Sequence, residues 1–280
     1  MNKHPFSVVH PDAKIAHSVE IGPFVTVAKD VVIGEGTWIG PGAHIMDGAR
    51  IGKNCKIFPG AIVSAEPQDL KYRGENTTLE IGDNTIIREY CTLNKGTIAA
   101  ARTVIGSNCL LMAYVHVAHD CFIGNNCILA NNVNLAGHIE IEDYAIVGGL
   151  AAVHQFVKIG AHAFIGGGTL VTKDVPPYAK ASREPISYVG VNSTGLRRRG
   201  FTDQQVANIQ DIYRVLFVKG YNFKKAMDII EAEITDSTEK DEIMHFIRRS
   251  ERGLMRGFRS VTTNKTDLKE ANKSYASTVE

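Results

Sequence analysis

Residues 105–122 read Ile105-Gly106-Ser107-Asn108-Cys109-Leu110, then Leu111-Met112-Ala113-Tyr114-Val115-His116, then Val117-Ala118-His119-Asp120-Cys121-Phe122. An aliphatic residue opens each group of six, and a small or β-branched residue stands four places later. Read toward the N-terminus, the opener recurs at Leu93, Ile87 and Ile81 and, beyond a gap, from Val63 back to Val9 in steps of six. Read toward the C-terminus, it recurs without a break to Val171, making 25 hexads opened by Val, Ile or Leu. In a strand, alternate side chains share a face, so the small residue of one hexad and the opener of the next point the same way. Gly often follows the opener (Gly22, Gly34, Gly52, Gly106, Gly124, Gly160), and together with Asn it tolerates the positive φ of a tight turn. Three short strands and three turns make a coil of 18 residues. Such coils stack through backbone hydrogen bonds at about 4.8 Å.

A six-residue period of this kind identifies residues 9–176 as a member of the hexapeptide-repeat family, whose fold is a left-handed parallel β-helix. The handedness is what the resemblance implies, because the general rule favours right-handed crossovers. Cys55, Cys91, Cys109, Cys121 and Cys127 all occupy the small inward slot, the place of a buried free thiol, consistent with a reducing, cytoplasmic compartment. The period breaks twice, over residues 68–80 and 97–103, and loops leaving a regular solenoid usually lie on its binding side. After Pro176-Pro177 it stops. Thr202 and Gln205 then have capping-box spacing, a helical pattern runs to Gly220, and amphipathic stretches follow over residues 223–234 and 239–249. The reading is mainly β, with a β-helix domain over residues 1–190, a small α-helical domain over 191–260, and a polar, disordered tail over 261–280.

The net charge of +1 offers no basic surplus for displacing counterions from nucleic acid. No run approaches the roughly 18 apolar residues of a spanning helix, and the polar first ten residues make no signal peptide.

A coil of 18 residues aligns the edges of the prism without coordinates. His119, Gly137 and Gln155 fall one coil apart on one edge, with His138 and His154 flanking them and His116 half a hexad earlier. Counting back one coil from His119 lands in the second break. Hexapeptide turns favour Gly, Asn and Asp, so imidazoles here serve no packing purpose. A histidine is mostly neutral at pH 7 and suits a general base; Asp120 would orient the ring, and the Gly137 N–H would meet an oxyanion. No nucleophile accompanies them, which favours direct acyl transfer over a covalent intermediate. The competing reading is zinc at His116-x-x-His119. The γ-class carbonic anhydrases are zinc enzymes on this fold, but their His-x-x-x-x-His spacing is absent here. The expectation is no metal and no cofactor.

More specific motifs are Gln68-Asp69-Leu70-Lys71-Tyr72, Ala118-His119-Asp120-Cys121, Leu135-Ala136-Gly137-His138, Ala152-Val153-His154-Gln155-Phe156, Asp174-Val175-Pro176-Pro177-Tyr178 and Arg198-Arg199-Gly200-Phe201. They resemble the acyl-[acyl-carrier-protein]–UDP-N-acetylglucosamine O-acyltransferases of lipid A biosynthesis over nearly the whole ordered chain. The resemblance implies a homotrimer with active sites between subunits, using a 3-hydroxyacyl chain on acyl carrier protein and the 3-hydroxyl of UDP-N-acetylglucosamine. It makes His119 the base, Asp120 its support and Gly137 the oxyanion donor. Gln68, Asp69, Lys71, His116, His138, His154 and Gln155 would meet sugar and acyl chain, and Asn192 and Arg198 the nucleotide. Gly167 would set acyl length. Asn94-Lys95-Gly96 stands where well-known members have His-Arg-Gly, and Thr194 stands where they have an acidic residue. The later N-acyltransferase of the pathway carries a sizeable N-terminal domain that is lacking before Val9. Coenzyme A-dependent acetyltransferases would not need the loop at Gln68–Lys71. A non-enzymatic solenoid would show plain turns where the histidines stand.

Overall fold

The computed structural model describes residues 2–257; the tail predicted over 261–280 lies outside the described residues. The chain winds through three sheets of short, almost wholly parallel strands, giving the parallel β-helix that the hexads predict. Each coil visits a 12-stranded face A, a 9-stranded face B and an 8-stranded face C in turn. The register is one coil per rung: Val117 pairs with Leu135 and Leu135 with Val153 on face B, and Ile123 pairs with Ile141 on face C. The rung alignment used to place the histidine column therefore holds in three dimensions.

Openers and small residues fill the prism together. Leu111, Val117 and Ile123 are 0–1% exposed, and Cys109, Val115 and Cys121 fill the gaps between them at 0–2%. All five cysteines are buried and free. Burying one such aliphatic side chain is worth about 1.5–3 kcal/mol, so each layer stabilises its neighbours. Val9 and Ile15, in the first coil, have a neighbour on one side only and are just partly buried. At the turns, the second residue takes positive φ, as at Asn108, Asn126, Asn132, Asp120 and His138.

Both breaks in the period leave the prism at the same corner. Strand Ile62–Ala65 on face B leads into the first insertion and returns as Thr78–Ile81 on face C. Strand Thr92–Asn94 leads into the second and returns as Arg102–Ile105, directly beneath the coil of His119.

Beyond face A's last parallel strand, Ala179–Ser182 turns back as an antiparallel hairpin with Ser187–Val191, an element the hexad pattern did not announce. Among the described residues four α-helices follow: α1 Ser193–Arg198, α2 Asp203–Tyr213, α3 Phe223–Glu233 and α4 Thr238–Arg248. The capping box predicted at Thr202 is present, with Gln205 closing it. The helix expected to run to Gly220 instead widens into a π-helical turn over Arg214–Val218, with Gly220 at φ 73° just after it. The short α1 went unread because six residues show no helical period. α2 buries Val206, Ile209, Ile212 and Tyr213. α4 is tied to face C by Arg249, which pairs with Glu142 and, at 3.3 Å, with Glu140.

Candidate active site

The corner between faces B and C carries the turn pairs 119–120, 137–138 and 155–156, stacked above the two insertions. His119 and Asp120 form its centre. His119 is 8% exposed and Asp120 1%. The His119 Nδ1 lies 2.8 Å from Asp120 Oδ2. Asp120 Oδ1 accepts from the Thr97 N–H at 2.9 Å and the Ala100 N–H at 3.3 Å, and its Oδ2 also accepts from the Thr97 hydroxyl at 2.6 Å. Its own N–H donates to Thr103 Oγ1 at 2.8 Å, fixing the left-handed turn. Burial pushes the Asp120 carboxyl up, but the hydrogen bonds from Thr97 and His119 and the field of His138 outweigh burial and hold it below the usual carboxylate range. An ionised Asp120 only accepts, so His119 Nδ1 carries the proton and Nε2 presents its lone pair.

Gly137 lies against the face of that imidazole. A Cβ built there would stand 2.6 Å from His119 Cε1 and 2.9 Å from Nε2, so only glycine leaves the ring in place. Its N–H has no acceptor among the described residues. His138 meets the His119 ring edge-on at 5.2 Å, approaches Asp120 Oδ2 at 3.7 Å through Nε2, and stacks on Phe156 at 4.8 Å. Burial holds His138 below the ordinary imidazole value, partly opposed by Asp120 and by Asp69 of the first insertion.

Other predicted residues lie around this centre without touching it. His116 points outward from face B, with Nδ1 2.8 Å from Thr92 Oγ1, and burial lowers its pKa, partly opposed by hydrogen bonding to the Thr92 backbone. Among the described residues, the cluster of three whose ligand atoms lie within 4.8 Å of one another is His119, Asp120 and His138, and His116 is not part of it. In that cluster the four acceptor sites of Asp120 are already taken by Thr97, Ala100 and His119. His154 is exposed, with Nδ1 3.2 Å from the Gln155 carbonyl, and Gln155 is half-buried one coil above Gly137. Gln68 and Lys71 are exposed on the first insertion, where Asp69 Oδ1 accepts the Lys71 N–H at 2.9 Å. Asn94 is buried and donates to the Glu66 carbonyl at 2.8 Å, bracing the root of that insertion. Gly167 sits at the far end of face B, at the corner with face A, where a Cβ would meet only the Gly149 backbone.

Asn192 and Arg198 lie at the helical end. Asn192 is buried and donates to the His162 carbonyl at 3.0 Å, whereas Arg198 and Thr194 are exposed on α1. A cleft of about 680 Å³ opens nearby, lined by Tyr144, His162, Tyr178, Phe201 and Glu242. Another of about 890 Å³ lies beside Phe217, Tyr221 and Met255. Neither is lined by His119 or Asp120, which lie at a different edge of the prism. Sequence reasoning missed Thr97, Thr103 and Phe156. Phe156 was legible as His138 plus one coil; the threonines act across an insertion, where the period gives no alignment.

Residues 174–255 match the family model described as Udp N-acetylglucosamine O-acyltransferase, Domain 2, and residues 30–65 and 102–137 match Bacterial transferase hexapeptide (six repeats). The acyl-[acyl-carrier-protein]–UDP-N-acetylglucosamine O-acyltransferase of Chlorobaculum tepidum is 59% identical over 88% of this chain and 93% of its own length. The chain belongs to this O-acyltransferase family. A further O-acyltransferase relative, from Aquifex aeolicus, is 57% identical over 91% of the chain and 98% of its length. The crystal structure of a UDP-N-acetylglucosamine acyltransferase from Bacteroides fragilis superposes with a TM-score of 0.89 at 48% identity, covering 90% of this chain and 99% of that one. Membership makes the chain an acyltransferase built on the hexapeptide fold, and no helix among its described residues is long and apolar enough to cross a membrane.

Proposed function

We propose that this enzyme transfers a 3-hydroxyacyl group from acyl carrier protein to the 3-hydroxyl of UDP-N-acetylglucosamine, the first step of lipid A biosynthesis, with His119 as general base. The observation that carries the mechanism is the buried His119–Asp120 pair with a side-chain-free Gly137 against its ring. His119 Nε2 takes the hydroxyl proton as the sugar oxygen attacks the thioester carbon. The tetrahedral oxyanion is met by the Gly137 N–H, and collapse expels the carrier thiolate, which receives the proton back from His119. Asp120 keeps the imidazole in the required tautomer and stabilises the imidazolium. Asp69 and Lys71 of the first insertion, with Gln68, His116, His138, His154 and Gln155, would surround the sugar and the head of the acyl chain. Face B would carry the chain toward Gly167, where a glycine leaves room for a long tail. Asn192 and Arg198 would serve the nucleotide.

The working form would be a homotrimer with sites between subunits. The corner between faces A and B offers such an assembly a stripe of exposed apolar side chains: Phe24 stacked on Phe6, Tyr114 on Tyr90, and Leu150 at 70% exposure. The β-helix over residues 1–190 would do the chemistry, and the helical unit from 191 would receive the acidic carrier protein near Arg197, Arg198 and Arg199. The five free thiols favour the cytoplasm.

The test is acyl transfer from a panel of 3-hydroxyacyl carrier proteins to UDP-N-acetylglucosamine. Wild type forms an ester, and folded His119→Ala loses about a hundredfold or more, the size of a lost general base. Retention of near-normal activity by that variant overturns the mechanism, and no ester from wild type overturns the acceptor.

A further inference from the structure

We infer that Thr97 is a positioning residue, and that the second insertion is a cradle that locks the Asp120 carboxylate and through it the tautomer of His119. The inference rests on His119 acting as the base.

A regular hexapeptide turn offers a side chain of the coil above it one backbone N–H, as Asn125 does to Asp143 Oδ1 at 2.7 Å. Here the turn is replaced by a loop that aims two groups of Thr97 and one N–H of Ala100 at a single carboxylate. Thr97 N–H is 2.9 Å from Asp120 Oδ1, Thr97 Oγ1 is 2.6 Å from Oδ2, and Ala100 N–H is 3.3 Å from Oδ1. The loop is itself fixed. Thr77 donates through Oγ1 to the Gly96 carbonyl at 2.6 Å, Gly96 N–H donates to Thr78 O at 3.1 Å, and Ala101 N–H closes onto Thr97 O at 2.8 Å. Gly96 admits no side chain, since a Cβ there would lie 2.3 Å from the Arg102 nitrogen. Thr97 is 7% exposed, so water does not compete for its hydroxyl.

Asp120 therefore spends one lone pair of Oδ2 on Thr97 and keeps the other for His119 Nδ1 at 2.8 Å. Without the hydroxyl the carboxylate is free to turn in its pocket toward His138, whose Nε2 stands 3.7 Å from the same oxygen. The Nδ1–H tautomer of His119 then loses its fixed partner.

Thr97→Val keeps the N–H and the β-branch and removes only the hydroxyl. In the full-length enzyme its kcat falls by about tenfold or more, the scale of one hydrogen bond to a charged group, while KM for both substrates changes by less than about threefold. Long-range proton–nitrogen NMR of histidine-labelled enzyme, with His119→Ala assigning the signals, shows His119 protonated at Nδ1 in wild type and as mixed tautomers in Thr97→Val. Thr97→Ser, which restores the hydroxyl, restores both the rate and the nitrogen pattern. If Thr97→Val does not fold, Thr97→Ala is read the same way. Wild-type kcat in the folded hydroxyl-free variant overturns the inference, and so does a lost rate with unchanged His119 nitrogens, which marks Thr97 as merely structural. Mixed tautomers in Thr97→Val together with an active His119→Ala would uphold the cradle and remove the base assignment instead.

Discussion

A methyl group added at position 137 would stand 2.6 Å from His119 Cε1, closer than any carbon contact allows, while the glycine's own φ is not left-handed. Gly137→Ala should therefore fold normally yet push the imidazole off Asp120. The expected outcome is a thermal midpoint within a few degrees of wild type and a kcat lowered by about tenfold or more, the scale of one lost charged hydrogen bond. Equal losses of stability and activity would count against it. His162 offers a pH test at another corner. Burial, and then the charge of Arg199, push it down to about 4, and it stacks on Tyr144 at 4.8 Å. The unfolded chain takes up a proton near pH 6.5 and the folded one only near 4, so the unfolded state binds more protons between these values. Stability is full above about pH 6.5 and falls as the pH drops through that window. The thermal midpoint of wild type should decline across it more steeply than that of His162→Phe, which keeps an aromatic ring and removes the titration.

Among the elements, the strands of the prism are two to four residues long and owe their place to the layer above and below. Stability in such a stack is a sum over neighbouring layers. Ile123, 1% exposed in mid-prism, and Ile15, part-buried in the first coil, occupy the same hexad position on face C. Ile123→Ala should cost about 2–5 kcal/mol in urea unfolding, and Ile15→Ala less than half of that. Similar costs would show that the coils do not act as separate layers. The strands were legible because one residue in six is constrained at every rung. The hairpin from Ala179–Ser182 to Ser187–Val191 and the π-helical turn at Arg214–Val218 were not, since each is set by packing at the end of the prism, where no period runs.

For the whole molecule, the exposed stripe of Phe24, Tyr114 and Leu150 and the His119 corner belong to one prediction. Light scattering of wild type should return three times the 30.6 kDa chain mass. Tyr114→Glu, which places a charge in the stripe at 55% exposure, should shift the protein to smaller species and reduce acyl transfer with His119 intact. A fully active monomer would refute intersubunit sites. The sequence by itself determined the prism, its register and the alignment of His119, Gly137 and Gln155, because a strict six-residue period converts counting into position. It also marked both insertions as departures. Only the tertiary structure decided that the first insertion leaves at the His119 corner as the second does, and that Thr97, Ala100 and Thr103 close around Asp120. It also decided that His116 turns to Thr92 and Asn192 to the His162 carbonyl. The contacts of Thr97 and Ala100 join Asp120 to a loop of irregular path, and a loop's path is fixed by the hydrogen bonds it satisfies in three dimensions rather than by any repeat along the chain.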